Sequence, residues 1–258
     1  MDDSYLLGHR PLEHSRLSQQ HVLWREGLLD TMRRHGLHPD AQVLDAGCGA
    51  GHLLADLGVL CRARGVEQDP DGAAEARVRA ECEVVCGDLR TAPLGGPYDQ
   101  IVARWVFSFL RSPHAIADRL ATALSPDGVL IVQDYDHDGI GFWPGDPAIT
   151  AVIEGYRAAY RAAGGDLWVA ARLPALLAAY GWSIVEVVPE VKAGGPGTEV
   201  WRWVSRFLTE HLGGLVDGGQ IDAGQVSAFK TAWARASGTP GMLFVSPIQL
   251  TVVARPPS

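Results

Sequence analysis

Basic residues are in short supply. Twenty-two Lys and Arg stand against 30 Asp and Glu, a formal charge of -8, and no basic tail or run offsets it. That balance argues against a nucleic-acid partner, because binding a phosphate backbone rests on clustered cations. Cysteine is scarce too: Cys48, Cys61, Cys82 and Cys86 show neither zinc-type nor redox-type spacing, and they read as reduced core thiols of a cytoplasmic protein. No apolar run approaches a membrane span, the N-terminal Met1-Asp2-Asp3-Ser4 is acidic, and no repeat or low-complexity tract interrupts the chain. What remains is a soluble 258-residue chain, 47% hydrophobic, long enough for one well-buried domain with a modest insertion.

Glycine, by contrast, is concentrated where it can do chemistry. Val43 and Leu44 read as a buried strand, and Asp45, Gly47, Gly49 and Gly51 follow as a turn that only residues lacking Cβ fold tightly. His52 to Leu60 reads as a helix whose N-terminus points at whatever the loop holds, favouring a carboxylate or phosphate there. The dinucleotide fingerprint is G-x-G-x-x-G, whereas this loop is Asp45-x-Gly47-x-Gly49-x-Gly51. An acid two residues before the first glycine repels a pyrophosphate but suits a sulfonium and an ammonium group. The sign of the charge favours S-adenosylmethionine.

The next two strands each end in an acid. Arg64 to Glu67 places Glu67 about 20 residues past the loop, where an acidic side chain meets a ribose diol. Val84 to Asp88 makes Asp88, with Leu89 beside it, the candidate for the adenine amino group. Strand signals at Ala41–Asp45, Arg64–Glu67, Glu83–Val85, Gln100–Ala103 and Val129–Asp134, interleaved with helical stretches, imply a parallel sheet with helices on both faces. A sixth strand is expected near Trp182–Val188, and a seventh near Met242–Ala254 as its antiparallel hairpin partner.

Five segments in register now carry a resemblance: Asp45-Ala-Gly-Cys-Gly-Ala-Gly51, Val66-Glu-Gln-Asp69, Gly87-Asp-Leu89, Tyr98-Asp-Gln-Ile-Val-Ala-Arg-Trp105 and Leu124-Ser-Pro-Asp-Gly-Val-Leu-Ile-Val132. Over roughly residues 40 to 135 the chain resembles the class I S-adenosylmethionine-dependent methyltransferases, in the small-molecule branch similar to the ubiquinone and menaquinone biosynthesis enzymes. The resemblance implies a Rossmann-like, doubly wound seven-stranded α/β sheet, mostly parallel with an antiparallel last strand. It implies a helical lid over residues 1–38 and a methyltransferase domain over 39–258, with substrate-binding insertions at about 135–181 and 192–240. The cofactor set it implies is Asp45, Gly47, Cys48, Gly49, Glu67, Gln68, Asp88, Leu89, Ala103 and Arg104, the last two at the methionine end. Close relatives commonly carry an acid and a histidine where Ser108 and Phe109 stand.

Substrate and catalytic groups are expected on three segments. The lid contributes Tyr5, which in related enzymes contacts the sulfonium end. Trp105 and Phe109 follow the fourth strand, Trp143 lies in the first insertion, and Trp201 in the second, where an aromatic helix is either core or a wall for an apolar substrate. After the fifth strand, Asp134-Tyr135-Asp136-His137-Asp138 offers His137 and Tyr135 as acid/base candidates, a linear cluster unsuited to a metal, or a solvated loop whose acids cap the next helix. Two functions follow: methyl transfer to a small apolar or aromatic secondary metabolite, or a non-transferring enzyme of the cyclase, decarboxylase or hydroxylase type that keeps the cofactor. The partner expected is a small molecule, with no membrane and no metal, and the protein a monomer or homodimer.

Overall fold

The computed structural model describes residues 11–257, with side chains from residue 17 onward; Tyr5 and the first part of the expected lid lie outside them. The strands are β1 (Gln42–Ala46), β2 (Arg62–Glu67), β3 (Glu83–Cys86), β4 (Tyr98–Arg104), β5 (Leu124–Asp136), β6 (Gly141–Trp143), β7 (Ser183–Glu190), β8 (Ala193–Gly194), β9 (Leu243–Val245) and β10 (Ile248–Arg255). The helices are α1 (Pro11–Arg34), α2 (His52–Leu60), α3 (Pro70–Ala80), α4 (Pro113–Ala121), α5 (Pro147–Ala163), α6 (Val169–Ala179), α7 (Glu199–Glu210), α8 (Leu212–Asp217) and α9 (Ala223–Gly238). They pack as two units. A sheet unit contains Trp24–Asp136, Trp168–Glu190 and the chain from Gln249 on; a helical unit contains residues 11–23, His137–Leu167 and Val191–Ile248.

The sheet unit carries seven strands in the order β3-β2-β1-β4-β5-β10-β7. Pairing is parallel from β3 through β5 and antiparallel between β10 and β7. β1 is buried along nearly its whole length, as a central parallel strand covered on both faces must be. One face packs Val43, Val102, Ile131 and Val253 against Leu28, Leu29 and Met32 of α1. The other packs Leu44, Ile101, Leu130 and Val132 against Ile116 and Leu120 of α4 and Leu173 and Leu177 of α6. Period-two alternation assigns the faces, so Asp45, Arg104, Gln133 and Gln249 share the α1 side with their odd or even neighbours. The buried Gln100 on that side donates to the Met32 and His35 carbonyls, both at 2.9 Å, closing the C-terminal end of α1 from the sheet.

The expected seventh strand is not continuous. Leu243–Val245 pairs instead with β6 and β8 in a separate three-stranded antiparallel sheet of the helical unit. Ser246 and Pro247 make the break: Ser246 N–H donates to the Lys192 carbonyl at 2.8 Å, its hydroxyl takes the Lys192 N–H at 3.0 Å, and Pro247 has no N–H to continue a ladder. β10 then enters the large sheet between β5 and β7 and pairs antiparallel with β7, as expected, across the long insertion rather than a short turn. β6 and β8 lie in stretches that read as loops, because two or three residues carry no measurable period. The rest of the helical unit is an aromatic core: Trp201 stacks on Trp233 at 4.8 Å, and Phe142 meets both edge-on.

Candidate cofactor site and its aromatic neighbours

The glycine loop is bent by two bonds to one acceptor. The N–H groups of Gly47 and Cys48 both donate to the Val66 carbonyl, at 2.8 and 3.0 Å. Gly47, Gly49 and Gly51 all hold left-handed backbone, with φ of 81°, 53° and 80°. Space separates their reasons for being glycine. A Cβ on Gly47 would stand 2.5 Å from Val106 Cγ2 and one on Gly51 2.7 Å from Ala76 Cα, whereas one on Gly49 would meet nothing within 4 Å among the described residues. Gly49 therefore borders open space just ahead of α2, whose N-terminus has no side-chain cap. Backbone is exposed there to a ligand.

Two acids flank that space. Asp45 is only 2% exposed, and its Oδ2 has no hydrogen-bond partner among the described residues. Burial pushes its carboxyl up to about 7, the Arg104 charge opposing and the Glu67 charge adding to the shift. Glu67 is raised by burial too. Its Oε2 accepts the Gly49 N–H at 2.7 Å and its Oε1 the Asp69 N–H at 2.9 Å, which leaves each oxygen acceptor capacity for one of the two hydroxyls of a diol. Two desolvated acids side by side favour a cation and reject a pyrophosphate. The residues present fit S-adenosylmethionine.

Around this pair, the expected residues contribute unequally. Cys48 turns its thiol inward, against the place where Gly65 lacks a Cβ, so only its backbone faces the loop. Gln68 is exposed, and Leu89 is buried among core residues. Asp88 takes the Arg90 N–H on Oδ1 at 2.8 Å and the Arg90 guanidinium on Oδ2, so an adenine amino group would have to share that carboxylate. Ala103 is fully buried, leaving its backbone at the strand end; Arg104 beside it is lowered to about 10 by burial, with the Asp45 charge resisting.

Trp105 follows, with φ of 55°, a left-handed conformation that costs a non-glycine residue about 1–2 kcal/mol. Its backbone N–H donates to the Gln133 carbonyl and its indole Nε1–H to Gln249 Oε1, each at 2.8 Å. The Arg104 guanidinium lies 4.5 Å over its ring, Tyr135 stacks at 6.3 Å, and Trp24 meets it edge-on at 6.3 Å. Sequence reasoning missed Gln133 and Gln249. The signal was available: each is a polar residue at a core-facing position of an otherwise apolar strand.

The remaining expected residues differ in burial and setting. β5 ends at Asp136 and residues 137–139 form a tight turn, so extended alternation stops before His137. His137 belongs to the helical unit, is 4% exposed, and has its carbonyl bound by Arg157. Burial, aided by the Arg157 charge, lowers its imidazole to about 3, so the ring is neutral near neutral pH. Asp134 is fully buried and accepts the Ser108 and Tyr135 N–H groups at 2.9 Å, holding the turn at Phe107–Phe109. Trp201 is 4% exposed within the aromatic core of the helical unit. Trp143 is 53% exposed, and its ring folds over Gly141. Phe109 is half-buried behind the Phe107 turn.

A family model described as a methyltransferase domain matches residues 17–187. The chain belongs to that family. As a methyltransferase-domain protein it is 33% identical over 99 residues to the trans-aconitate 2-methyltransferase of Escherichia fergusonii, covering 37% of this chain and 39% of that one. It is 24% identical over 141 residues to the malonyl-[acyl-carrier protein] O-methyltransferase of Anoxybacillus flavithermus, 52% of this chain and 54% of that one. The matches thus span about half or less of those relatives. Among solved structures, the YcgJ protein of Bacillus subtilis superposes with a TM-score of 0.59 at 14% identity, over 91% of this chain and 99% of that one. Magnesium protoporphyrin IX methyltransferase from Synechocystis PCC 6803 with bound S-adenosylhomocysteine gives 0.55 at 15%, over 97% and 91%. The [4+2]-cyclase SpnF gives 0.52 at 17%, over 86% and 77%. At such identities the likeness is one of fold. The cofactor of this family, and of this chain, is S-adenosylmethionine. Among the described residues no three His, Cys, Asp or Glu converge as a metal site, and no helix is long and apolar enough to cross a membrane.

Proposed function

We propose that this methyltransferase-domain protein transfers the methyl group of S-adenosylmethionine to a small apolar or aromatic acceptor, at oxygen, nitrogen or carbon. The observation that carries the reading is the buried, unpaired Oδ2 of Asp45 beside Glu67, at a glycine whose missing side chain opens onto space. When bound, the cofactor supplies a methyl group on a positively charged sulfur that leaves as a neutral thioether. Asp45 and Glu67 offset cationic charge and fix orientation, Gly49 allows close approach, and Trp105 with Tyr135 supplies a rigid aromatic surface at the end of β4 and β5. Proximity and orientation of this kind are worth about 7–11 kcal/mol, and a base is needed only when the nucleophile is protonated. Tyr135 is the ring hydroxyl best placed to serve, since it lies near enough to Arg104 to feel its charge.

A second reading is enzymatic use of the cofactor without transfer. It is favoured by the run Val106-Phe107-Ser108-Phe109, whose one polar side chain, Ser108, is fully buried, and which holds neither an acid nor a histidine. The test is incubation with S-adenosylmethionine and a panel including trans-aconitate, malonyl-[acyl-carrier protein], phenols and aromatic acids, followed by mass spectrometry. S-adenosylhomocysteine accumulating one for one with a product heavier by one methyl supports transfer. Conversion of an acceptor with the cofactor unconsumed supports the second reading.

A further inference from the structure

Gln249 is fully buried at the start of β10, on the sheet face that α1 covers. An indole N–H only donates, so the oxygen of the Gln249 carboxamide must face Trp105, and this fixes which way the amide is turned. Its NH2 group is thereby directed elsewhere. Nε2 has no acceptor among the described residues, although Gln249 is 0% exposed. Its register partner across the ladder, Glu190, has its carboxylate pressed against Gly27, where a Cβ would stand 2.5 Å from Oε2.

Leaving a buried donor unmade is costly, and an apolar residue of the same length would remove the cost. The position is otherwise tightly specified. Thr251, two residues along the same face, takes a bond from the Gln133 side chain at 3.1 Å, and the Gln133 carbonyl holds the Trp105 backbone. One amide thus joins a strained aromatic residue, whose ring neighbours are Arg104, Trp24 and Tyr135, to a donor that has no acceptor among the described residues. A cation is disfavoured at this ring, because the Arg104 guanidinium already occupies its face.

We infer that Gln249 is a specificity-determining residue: its Oε1 sets the Trp105 indole, and its NH2 donates to an acceptor oxygen on a neutral or anionic aromatic substrate. This deepens the methyl-transfer reading and rests on it for the word substrate. The test measures binding, so it has an outcome whether or not any methyl group is transferred.

The 15N-labelled protein saturated with S-adenosylhomocysteine is titrated with acetophenone and with its oxygen-free isostere α-methylstyrene. The Gln249 side-chain NH2 resonances, assigned through their own side-chain carbons, are expected to move with acetophenone alone, and acetophenone to bind about tenfold more tightly. In Gln249→Met the preference should vanish and the Trp105 indole N–H resonance should shift. Equal response to both probes, binding of neither, or a preference that survives in Gln249→Met overturns the assignment. Should Gln249→Met not fold, the wild-type resonance shifts decide alone.

Discussion

Glu67 holds the glycine loop by its apex: its Oε2 accepts the N–H of Gly49 at 2.7 Å, across 18 residues of sequence. The carboxylate that is expected to bind a ribose therefore also shapes the loop that approaches the cofactor. Glu67→Gln keeps size but replaces one acceptor oxygen by a donor facing an N–H. S-adenosylhomocysteine affinity is expected to fall by about 1.5–3 kcal/mol, the worth of a charge-assisted bond. Calorimetry giving an unchanged Kd would remove Glu67 from the site.

Two glycines of one loop should separate folding from binding. Gly51→Ala drives a methyl group into the α3 backbone at Ala76, with φ at 80°, and is expected to lower thermal stability sharply. Gly49→Ala meets nothing within 4 Å among the described residues and bears the left-handed penalty of about 1–2 kcal/mol. Its protein should fold and lose most cofactor affinity. Thermal melts with and without S-adenosylhomocysteine distinguish the two, and a Gly49→Ala protein still stabilised by the ligand as strongly as wild type would mean the space is not used.

The cofactor half of the molecule was legible because its signals are local: an acid and three glycines at fixed spacing, and strands ending in acids. α2 begins and ends where its pattern says, and β1 to β4 fall within two residues of expectation at every end. The second half was less so. The route of residues 242–255 through two sheets depends on Ser246 finding Lys192, 54 residues away, and no local period encodes that. His137 read as a base candidate because an extended chain past β5 would carry it to the edge of the sheet; burial, with Arg157 20 residues on, keeps it neutral, and no local pattern encodes that.

Asp45 makes stability depend on pH. Its folded pKa, about 7, is above the ordinary 3.8, so the contribution of its neutral form is fully present below pH 3.8 and is lost as pH rises toward 7. Asp45→Asn removes that loss. The variant without ligand should melt higher than wild type at pH 8 and nearly level with it at pH 4.5, while binding S-adenosylmethionine at least about tenfold more weakly. An equal difference in melting temperature at both pH values would show that Asp45 does not titrate in this window.

His137 is expected to matter to folding rather than to turnover. Its ring is buried in the helical unit and neutral down to about pH 3, so removing it subtracts packing and not a proton carrier. His137→Ala should destabilise by roughly 1–3 kcal/mol through a cavity and lost polar contacts. The fraction that remains folded should transfer methyl groups with an unaltered pH profile from pH 6 to 9. Denaturant melts give the first quantity and S-adenosylhomocysteine release the second. A variant as stable as wild type that loses the alkaline or acidic limb of its rate profile would return His137 to the chemistry and require the imidazole to move out of its buried place during turnover.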